Sequence, residues 1–168
     1  MILGVVLAGG RSSRFGSNKA DAVFAGRALI EHARALLTPY VADTLVVGGE
    51  RGDITDLPRP GLGPLGGIAG ALDRACDLGY TSVMTIACDM PRLPEGLLDA
   101  LAHRTPAYCP DAPVLGHWPA ALGAQLLAHI DAFPDRSVRR WALAIGALPI
   151  PAQGPIPNVN TPADLATL

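Results

Sequence analysis

Continuous apolar runs alternate with helical patterns along the first half of the chain. Ile2–Leu7 is such a run and stops at a glycine pair, and Thr44–Val47 is a second one that stops in the same way. Thr81–Cys88 is the third, and it leads directly into Asp89. Runs of this length are typical of parallel strands buried on both faces. The pattern therefore predicts three strands with glycine or aspartate at their carboxyl ends.

Apolar residues at spacings of three and four predict helices between and after these strands. The predicted helices are Arg27–Tyr40, Gly63–Gly79, Leu97–His103, Leu122–Phe133 and Val138–Ile145. Thr161, Pro162 and Asp164 have the order of a capping box and open a last helix. The order of elements predicts an α/β fold with an open, mostly parallel sheet. Ligands of such sheets bind beyond the carboxyl ends of the strands.

Length and composition narrow the class of protein. With 168 residues, 49% of them hydrophobic, we expect a single domain spanning residues 1–168. A net charge of −2 argues against binding to nucleic acid or to an anionic membrane surface. The apolar runs are too short to span a bilayer, and from the residues after Met1 we expect no export signal. Cys76, Cys88 and Cys109 lack metal-ligand or redox spacing, so we expect reduced core or strand cysteines and a cytoplasmic location.

A glycine-rich loop follows the first strand and reads LAGGRSSRFGSNK from Leu7 to Lys19. Glycines allow a close approach of the backbone to a ligand, and exposed amides can form an anion-binding nest. Arg14 and Lys19 add charged donors for phosphate oxygens. The loop matches neither the Walker pattern nor the GxGxxG of dinucleotide folds. We interpret it as a cradle for a triphosphate.

Lys19 and Asp89 are the strongest candidates for chemistry. Lys19 is the one lysine among the 13 basic residues, which indicates a site that needs a compact point charge, although a surface loop could also hold it. Asp89 ends a buried strand, where a lone carboxylate suits Mg²⁺; capping of the following turn is the alternative. Asn158 and Asn160 could supply a second metal contact or satisfy loop backbone.

Four segments occur together in this order: the Leu7–Lys19 loop, GPLGG at 63–67, CDMP at 88–91 and NVNTP at 158–162. Together they resemble the molybdenum cofactor guanylyltransferase family, within the wider group of Rossmann-like nucleotidyltransferases. The resemblance covers nearly the whole chain and implies a three-layer αβα fold. It also implies that GTP and molybdopterin are the substrates, that Mg²⁺ is the cofactor, and that a molybdoenzyme or a chaperone receives the product.

The resemblance assigns roles to individual residues. The guanine and ribose contacts it implies are Leu7, Ala8, Gly9 and Gly10. Lys19 would contact the phosphates, Asp89 would hold Mg²⁺, and Asp56, seven positions before Gly63, would be an acidic nucleotide contact. Arg136 resembles a basic residue on the pterin side, with a solvated helix face as the alternative. The four histidines lack a metal pattern, so we expect ordinary core or surface roles for them. His117 also stands where the family has an element on the pterin side, which is the alternative for this residue.

The implied reaction is attack by the molybdopterin phosphate on the α-phosphorus of GTP, with Lys19 and Arg14 compensating charge on the pyrophosphate that leaves. Two positions depart from the family pattern: Asn18 replaces an acid, and Gly48 replaces an Asn that touches the base. Two alternatives therefore stay open. One is a related nucleotidyltransferase that uses CTP or a sugar or alcohol phosphate, and the other is a nucleotide-binding protein that has lost catalysis.

Overall fold

The computed structural model describes residues 1–9, 19–49 and 52–168. The strands in these ranges are β1 (Ile2–Leu7), β2 (Val23–Phe24), β3 (Arg27–Ala28), β4 (Asp43–Val47), β5 (Ser82–Ala87), β6 (Ala107–Cys109), β7 (Ala112–Pro119) and β8 (Leu148–Pro149). The α-helices are α1 (Leu29–Leu37), α2 (Gly63–Asp77), α3 (Leu97–Ala102), α4 (Gly123–Ala132) and α5 (Val138–Ala144). Short 3₁₀ helices cover Lys19–Asp21, Ala120–Leu122 and Pro162–Thr167.

The main sheet has the strand order β4-β1-β5-β7-β6-β8. The β4/β1, β1/β5 and β6/β8 pairings are parallel, whereas β7 is antiparallel to both of its neighbours. Of the described strands in this sheet, β7 alone runs against the others. The predicted α/β fold with a mostly parallel sheet is confirmed, and the strand predictions for β1, β4 and β5 hold to within one residue at each end.

Helices cover both faces of this sheet. One apolar cluster joins α2, α4 and α5 to one face, where Trp118 of β7 and Trp141 of α5 pack with ring centroids 4.8 Å apart. The second cluster joins α1 and α3 to the opposite face through residues such as Ile30 and Leu101. Burial of aliphatic and aromatic side chains in these two layers supplies most of the stability of the fold. No helix in the described ranges has the length and hydrophobicity needed to cross a membrane.

The structure corrects several local predictions. The predicted helix at 27–40 begins only at Leu29, because Arg27 and Ala28 pair with β2 in a hairpin. Ala25 and Gly26 both have positive φ, as a two-residue turn of this kind requires. The last predicted helix is a 3₁₀ helix, although its predicted capping box is present. Cys76 is exposed rather than buried, whereas Cys88 and Cys109 are buried and all three thiols are free.

Small residues in the first half of α2 bring this helix close to the loop after β4. A Cβ placed on Gly70 would lie 2.1 Å from the carbonyl oxygen of Thr55. A Cβ on Gly67 would lie 3.1 Å from the side chains of both Leu7 and Val47. Larger side chains at these positions would push α2 away from the carboxyl ends of β1 and β4.

Replacing Gly70 by alanine should therefore lower the free energy of unfolding by about 2 kcal/mol, because the added methyl overlaps backbone that cannot rotate away. Gly123→Ala is the matched control, since a Cβ there meets nothing closer than 3.8 Å. Because alanine has a higher helix propensity than glycine, Gly123→Ala should leave the free energy of unfolding unchanged or raise it by up to about 1 kcal/mol. Urea unfolding of both variants measures the difference, and equal stabilities would contradict the close packing of α2.

Candidate active site

The carboxyl ends of β1, β4 and β5 lie side by side at one edge of the sheet. Leu7 is in register with Val47 on one side and with Ala87 on the other. The loops that follow these residues therefore leave the sheet at the same level. The unusual strand ends singled out in the sequence are neighbours in space, as parallel pairing requires.

Lys19, Asp89 and Asn160 meet beyond this edge. The Lys19 ammonium donates a hydrogen bond to Asp89 Oδ2 at 3.0 Å and another to Asn160 Oδ1 at 3.0 Å. The side chains of Lys19 and Asp89 are 19% and 24% exposed, so their ion pair is only partly screened by solvent. The structure thus brings together three of the residues named from the sequence, and their roles remain predictions.

Backbone hydrogen bonds hold Asp89 in place. The Cys88 N–H donates to the Leu7 carbonyl at 3.1 Å, and the Val159 N–H donates to the Asp89 carbonyl at 2.9 Å. Burial, with a smaller contribution from the Asp89 charge, raises the pKa of the Cys88 thiol to about 11. Cys88 is therefore protonated at neutral pH and serves as packing beside the carboxylate rather than as a nucleophile.

The capping box of the Pro162–Thr167 helix positions residues 158–161, which carry Asn160 and are called the tail below. Asp164 Oδ2 accepts the N–H groups of Asn160 and Thr161, each at 2.7 Å, and the Asp164 N–H donates to Thr161 Oγ1. These backbone N–H groups, and more weakly the Lys19 ammonium, hold the pKa of Asp164 below its usual value. Asn158 is exposed, and the intervening Val159 is fully buried.

Asp89 also has the free acceptor that a metal ion requires. Its Oδ1 atom is buried and has no hydrogen-bond partner among the described residues. No cluster of three or more His, Cys, Asp or Glu side chains forms in the described ranges. The arrangement therefore fits an ion that takes one or two protein carboxylates and otherwise binds water and phosphate oxygens, as Mg²⁺ does.

Glycine backbone forms the other side of the site. Gly48 has a φ of +74°, and a Cβ on it would lie 2.9 Å from Gly9 Cα. The loops after β1 and β4 therefore touch backbone to backbone, and the Ala8 N–H donates to the Val47 carbonyl at 2.9 Å. Leu7 is buried, so its side chain supports this loop from below. Gly10 and Arg14 lie outside the described residues.

Asp56 lies against the first turns of α2. A Cβ on Gly66 would come within 3.4 Å of its Oδ2 atom, and one on Gly67 within 3.7 Å of its Oδ1 atom. Partial burial raises the pKa of Asp56, while a hydrogen bond from the Gly61 N–H lowers it. Because Gly67 also faces Leu7 and Val47, Asp56 sits beside the carboxyl ends of β1 and β4. Its placement is compatible with the predicted nucleotide contact.

Arg136 has partners within the chain. It adopts a φ of +53°, and its guanidinium donates to the carbonyls of Ile130 at 2.6 Å and Phe133 at 2.7 Å. These contacts cap the end of α4. The guanidinium of Arg139 donates to the Pro110 carbonyl. The structure therefore shows a structural role for Arg136, and contact with a pterin stays a prediction.

His117 is not placed to line a substrate site. It is 3% exposed, its Nδ1–H donates to the Leu101 carbonyl at 3.0 Å, and its Nε2 accepts from the Ser82 hydroxyl at 2.8 Å. His117 is in register with Met84, five residues before Asp89, so it lies roughly 16 Å along the sheet from the strand end that carries Asp89. Burial lowers the pKa of His117, which keeps the ring neutral. The core role favoured from the sequence is confirmed, and the alternative that His117 lines the pterin side is wrong, because the residue is buried and both ring nitrogens are bonded inside the fold.

One contact near the site was not predicted from the sequence. Arg92 follows Asp89 by three positions, and its guanidinium lies over the Phe24 ring at 5.2 Å. The Phe24 carbonyl is 2.7 Å from His32 Nε2, which ties the β2–β3 hairpin to α1. Gly26, as a turn residue, was the only local signal of this hairpin. The contact links the segment after Lys19 to the segment after Asp89.

Comparison with known proteins identifies the family of the chain. The family model described as MobA-like NTP transferase domain matches residues 4–147. A molybdenum cofactor guanylyltransferase from Rhodobacter capsulatus is 37% identical over 180 residues, which cover 98% of this chain and 93% of the relative. A protein of the same name from Rhizobium leguminosarum bv. trifolii is 34% identical and covers 98% of this chain and 90% of its own.

Solved structures share the fold. Molybdopterin-guanine dinucleotide biosynthesis protein A from Archaeoglobus fulgidus superposes with a TM-score of 0.74 at 23% identity, covering 98% of this chain and 95% of that one. A 2-C-methyl-D-erythritol 4-phosphate cytidylyltransferase from Thermus thermophilus gives a TM-score of 0.65 at 18% identity, with 99% and 97% covered. The family match over most of the chain, and relatives above 30% identity over nearly all of it, show that the chain belongs to the family of MobA-like NTP transferases.

Proposed function

We propose that this protein is a guanylyltransferase that transfers GMP from GTP to the phosphate of molybdopterin and releases pyrophosphate. The product is the molybdopterin guanine dinucleotide cofactor. The observation that carries the proposal is the meeting of Lys19, Asp89 and Asn160 beyond the carboxyl ends of the strands. Relatives named molybdenum cofactor guanylyltransferase, which align with nearly the whole chain, support the choice of substrates.

Lys19 is suited to binding the phosphates of the nucleotide. An ammonium group has three hydrogens, and in the described part of the chain two are directed at Asp89 and Asn160. The third can point to a phosphate oxygen while the first two keep the group oriented. Arg14, in the loop before Lys19, would add a second cation on the same phosphates. Together they would offset the negative charge that grows on the departing pyrophosphate.

Asp89 is the residue that would hold Mg²⁺. Its buried Oδ1 atom, without a partner among the described residues, offers the required oxygen, and Asn158 is a candidate for a further contact. When bound, the ion would neutralise charge on the reacting phosphate groups. Lys19 occupies Oδ2 only, so the ammonium and a cation can use different oxygens of the same carboxylate.

The chemistry then requires positioning rather than proton transfer. An oxygen of the acceptor phosphate attacks the α-phosphorus of GTP, and a new P–O bond forms. The bond from the α-phosphorus to the bridging oxygen breaks, and its electron pair leaves with pyrophosphate. A phosphate nucleophile is ionised at neutral pH, so no general base is needed. The contribution of this chain is to align the two phosphate groups and to compensate their charge.

The glycine loops would form the binding surface for the guanosine. Ala8, Gly9 and the predicted contact Gly10 would approach the base and ribose with their backbone. Leu7 would support that backbone from the core. Asp56 would accept a hydrogen bond from the nucleotide at the start of α2. In this scheme the free thiols agree with a cytoplasmic enzyme, and a molybdoenzyme or a chaperone would take up the product.

A nucleotide panel tests the proposal directly. The purified protein is mixed with molybdopterin, Mg²⁺ and GTP, CTP, ATP or UTP in turn, and pyrophosphate and dinucleotide are both measured. We expect turnover with GTP that stops when EDTA removes the metal. Preference for CTP, or transfer only to sugar or alcohol phosphates, would instead identify the related nucleotidyltransferase. Nucleotide binding without any pyrophosphate release would identify a protein that has lost catalysis.

A further inference from the structure

Asp164 makes one more hydrogen bond than a helix cap requires. In a capping box the residue at the third helical position accepts the N–H of the N-cap residue. Asp164 does this for Thr161, and the same Oδ2 atom also accepts the N–H of Asn160 at 2.7 Å. The extra bond lies outside the helix, at the residue whose side chain holds Lys19.

The tail is thus fixed at three successive N–H groups. Val159 donates to the Asp89 carbonyl, and Asn160 and Thr161 donate to Asp164. Between the first and the last of these anchors, the Asn160 side chain reaches Lys19, whose ammonium also contacts Asp89. The contacts form a closed ring that runs from Asp89 through the tail and Lys19 back to Asp89. A shift of the Asn160 backbone would move an acceptor of the ammonium.

We propose that Asp164 is a positioning residue for Lys19, which it orients by fixing the backbone of Asn160. This inference rests on the proposed function, in which Lys19 binds the phosphates of GTP. Asp164 itself touches neither substrate nor metal in this scheme. Its main effect on the reaction passes through Asn160 Oδ1, beside a weaker direct charge interaction with Lys19.

Two variants separate positioning from simple capping. Asp164→Ala removes the acceptor of both N–H groups, whereas Thr161→Ala keeps that acceptor and removes the contacts of Thr161 Oγ1 with the N–H and the carboxylate of Asp164. Both weaken the same 3₁₀ helix, and that helix contains no buried residue, so the core stays intact in each. Asp164→Glu is the rescue variant, because glutamate commonly occupies this place in capping boxes.

The lone lysine of the chain provides a readout that does not depend on activity. Protein labelled with ¹⁵N at lysine Nζ gives a single ammonium resonance, which belongs to Lys19. We expect Asp164→Ala to move this resonance towards that of a free lysine and Thr161→Ala to leave it near the wild-type position. For GTP turnover we expect a loss of about tenfold in kcat/KM for Asp164→Ala, less than about twofold for Thr161→Ala, and recovery in Asp164→Glu.

Equal losses in the two alanine variants, or an unchanged lysine resonance in Asp164→Ala, would overturn the positioning role. The resonance is recorded without nucleotide, so it tests the ring of contacts even in a protein that does not transfer GMP. Turnover of the unmodified protein decides the proposed function separately. Failure of one claim can therefore be told from failure of the other.

Discussion

Replacing Lys19 by methionine should lower guanylyl transfer from GTP by at least about a hundredfold, since a donor aimed at developing charge typically contributes this much. Methionine keeps the length of the side chain and removes the cation that bridges Asp89 and Asn160. Because the Lys19 and Asp89 side chains are only 19% and 24% exposed, removal of the cation leaves the Asp89 carboxylate without its partner, and we expect some loss of stability as well. Steady-state kinetics with GTP and thermal unfolding of the same preparation measure both effects.

Arg104→Met is the matched control for this variant. Arg104 is exposed and precedes β6, at the end of the sheet opposite to the one that carries Asp89. The variant therefore loses the same charge far from the site. We expect its transfer rate to stay within about twofold of the wild type. Comparable losses in both variants would trace the effect to net charge, and an active Lys19→Met protein would remove Lys19 from the mechanism.

The second large effect is expected for Asp89→Asn, which should lower turnover by about a thousandfold and abolish its dependence on Mg²⁺. Asparagine has nearly the same shape, and the hydrogen bond from the Val159 N–H to the carbonyl of residue 89 does not involve the side chain. The substitution removes the charge that pairs with Lys19 and the oxygen that would hold the ion.

Titration with Mn²⁺ followed by electron paramagnetic resonance reports metal binding independently of turnover. Asp99→Asn serves as the control, because Asp99 is an exposed carboxylate on α3 that lies beside the surface residue His103. We expect Mn²⁺ binding in the presence of GTP to be lost in Asp89→Asn and kept in Asp99→Asn. Retained metal binding and turnover in Asp89→Asn would show that another group holds the ion.

The first half of the sheet was predictable because its signal is local. β1, β4 and β5 are continuous apolar runs with glycine or aspartate after them, and parallel pairing then brings their ends together. Parallel pairing therefore predicts that Asp89 and the loop ending at Lys19 both lie beyond the carboxyl ends of the strands. It needs no knowledge of contacts between distant residues, only the order of strands and helices.

The second half of the sheet was not predicted, for a physical reason. β7 contains Pro113, Gly116 and Pro119, residues that disfavour a strand, and the strand forms because β5 and β6 pair with it on both sides. Long-range pairing overrides local propensity in such a segment. The bond between Lys19 and Asn160 was missed for the same reason, since these residues are 141 positions apart and meet only through the folded tail.

Because Lys19 and Asn160 are 141 positions apart, the two contacts of the ammonium become possible at different times during synthesis. During synthesis, β1, β4, β5, Lys19 and Asp89 have all been made when the ribosome has added the ninetieth residue, and the ion pair can form once they emerge. Asn160 and Asp164 are added only after some seventy further residues. A nascent chain can therefore hold its ammonium on one partner long before the second arrives. The ammonium therefore gains its full set of contacts only after the segment that carries Asn160 has been made.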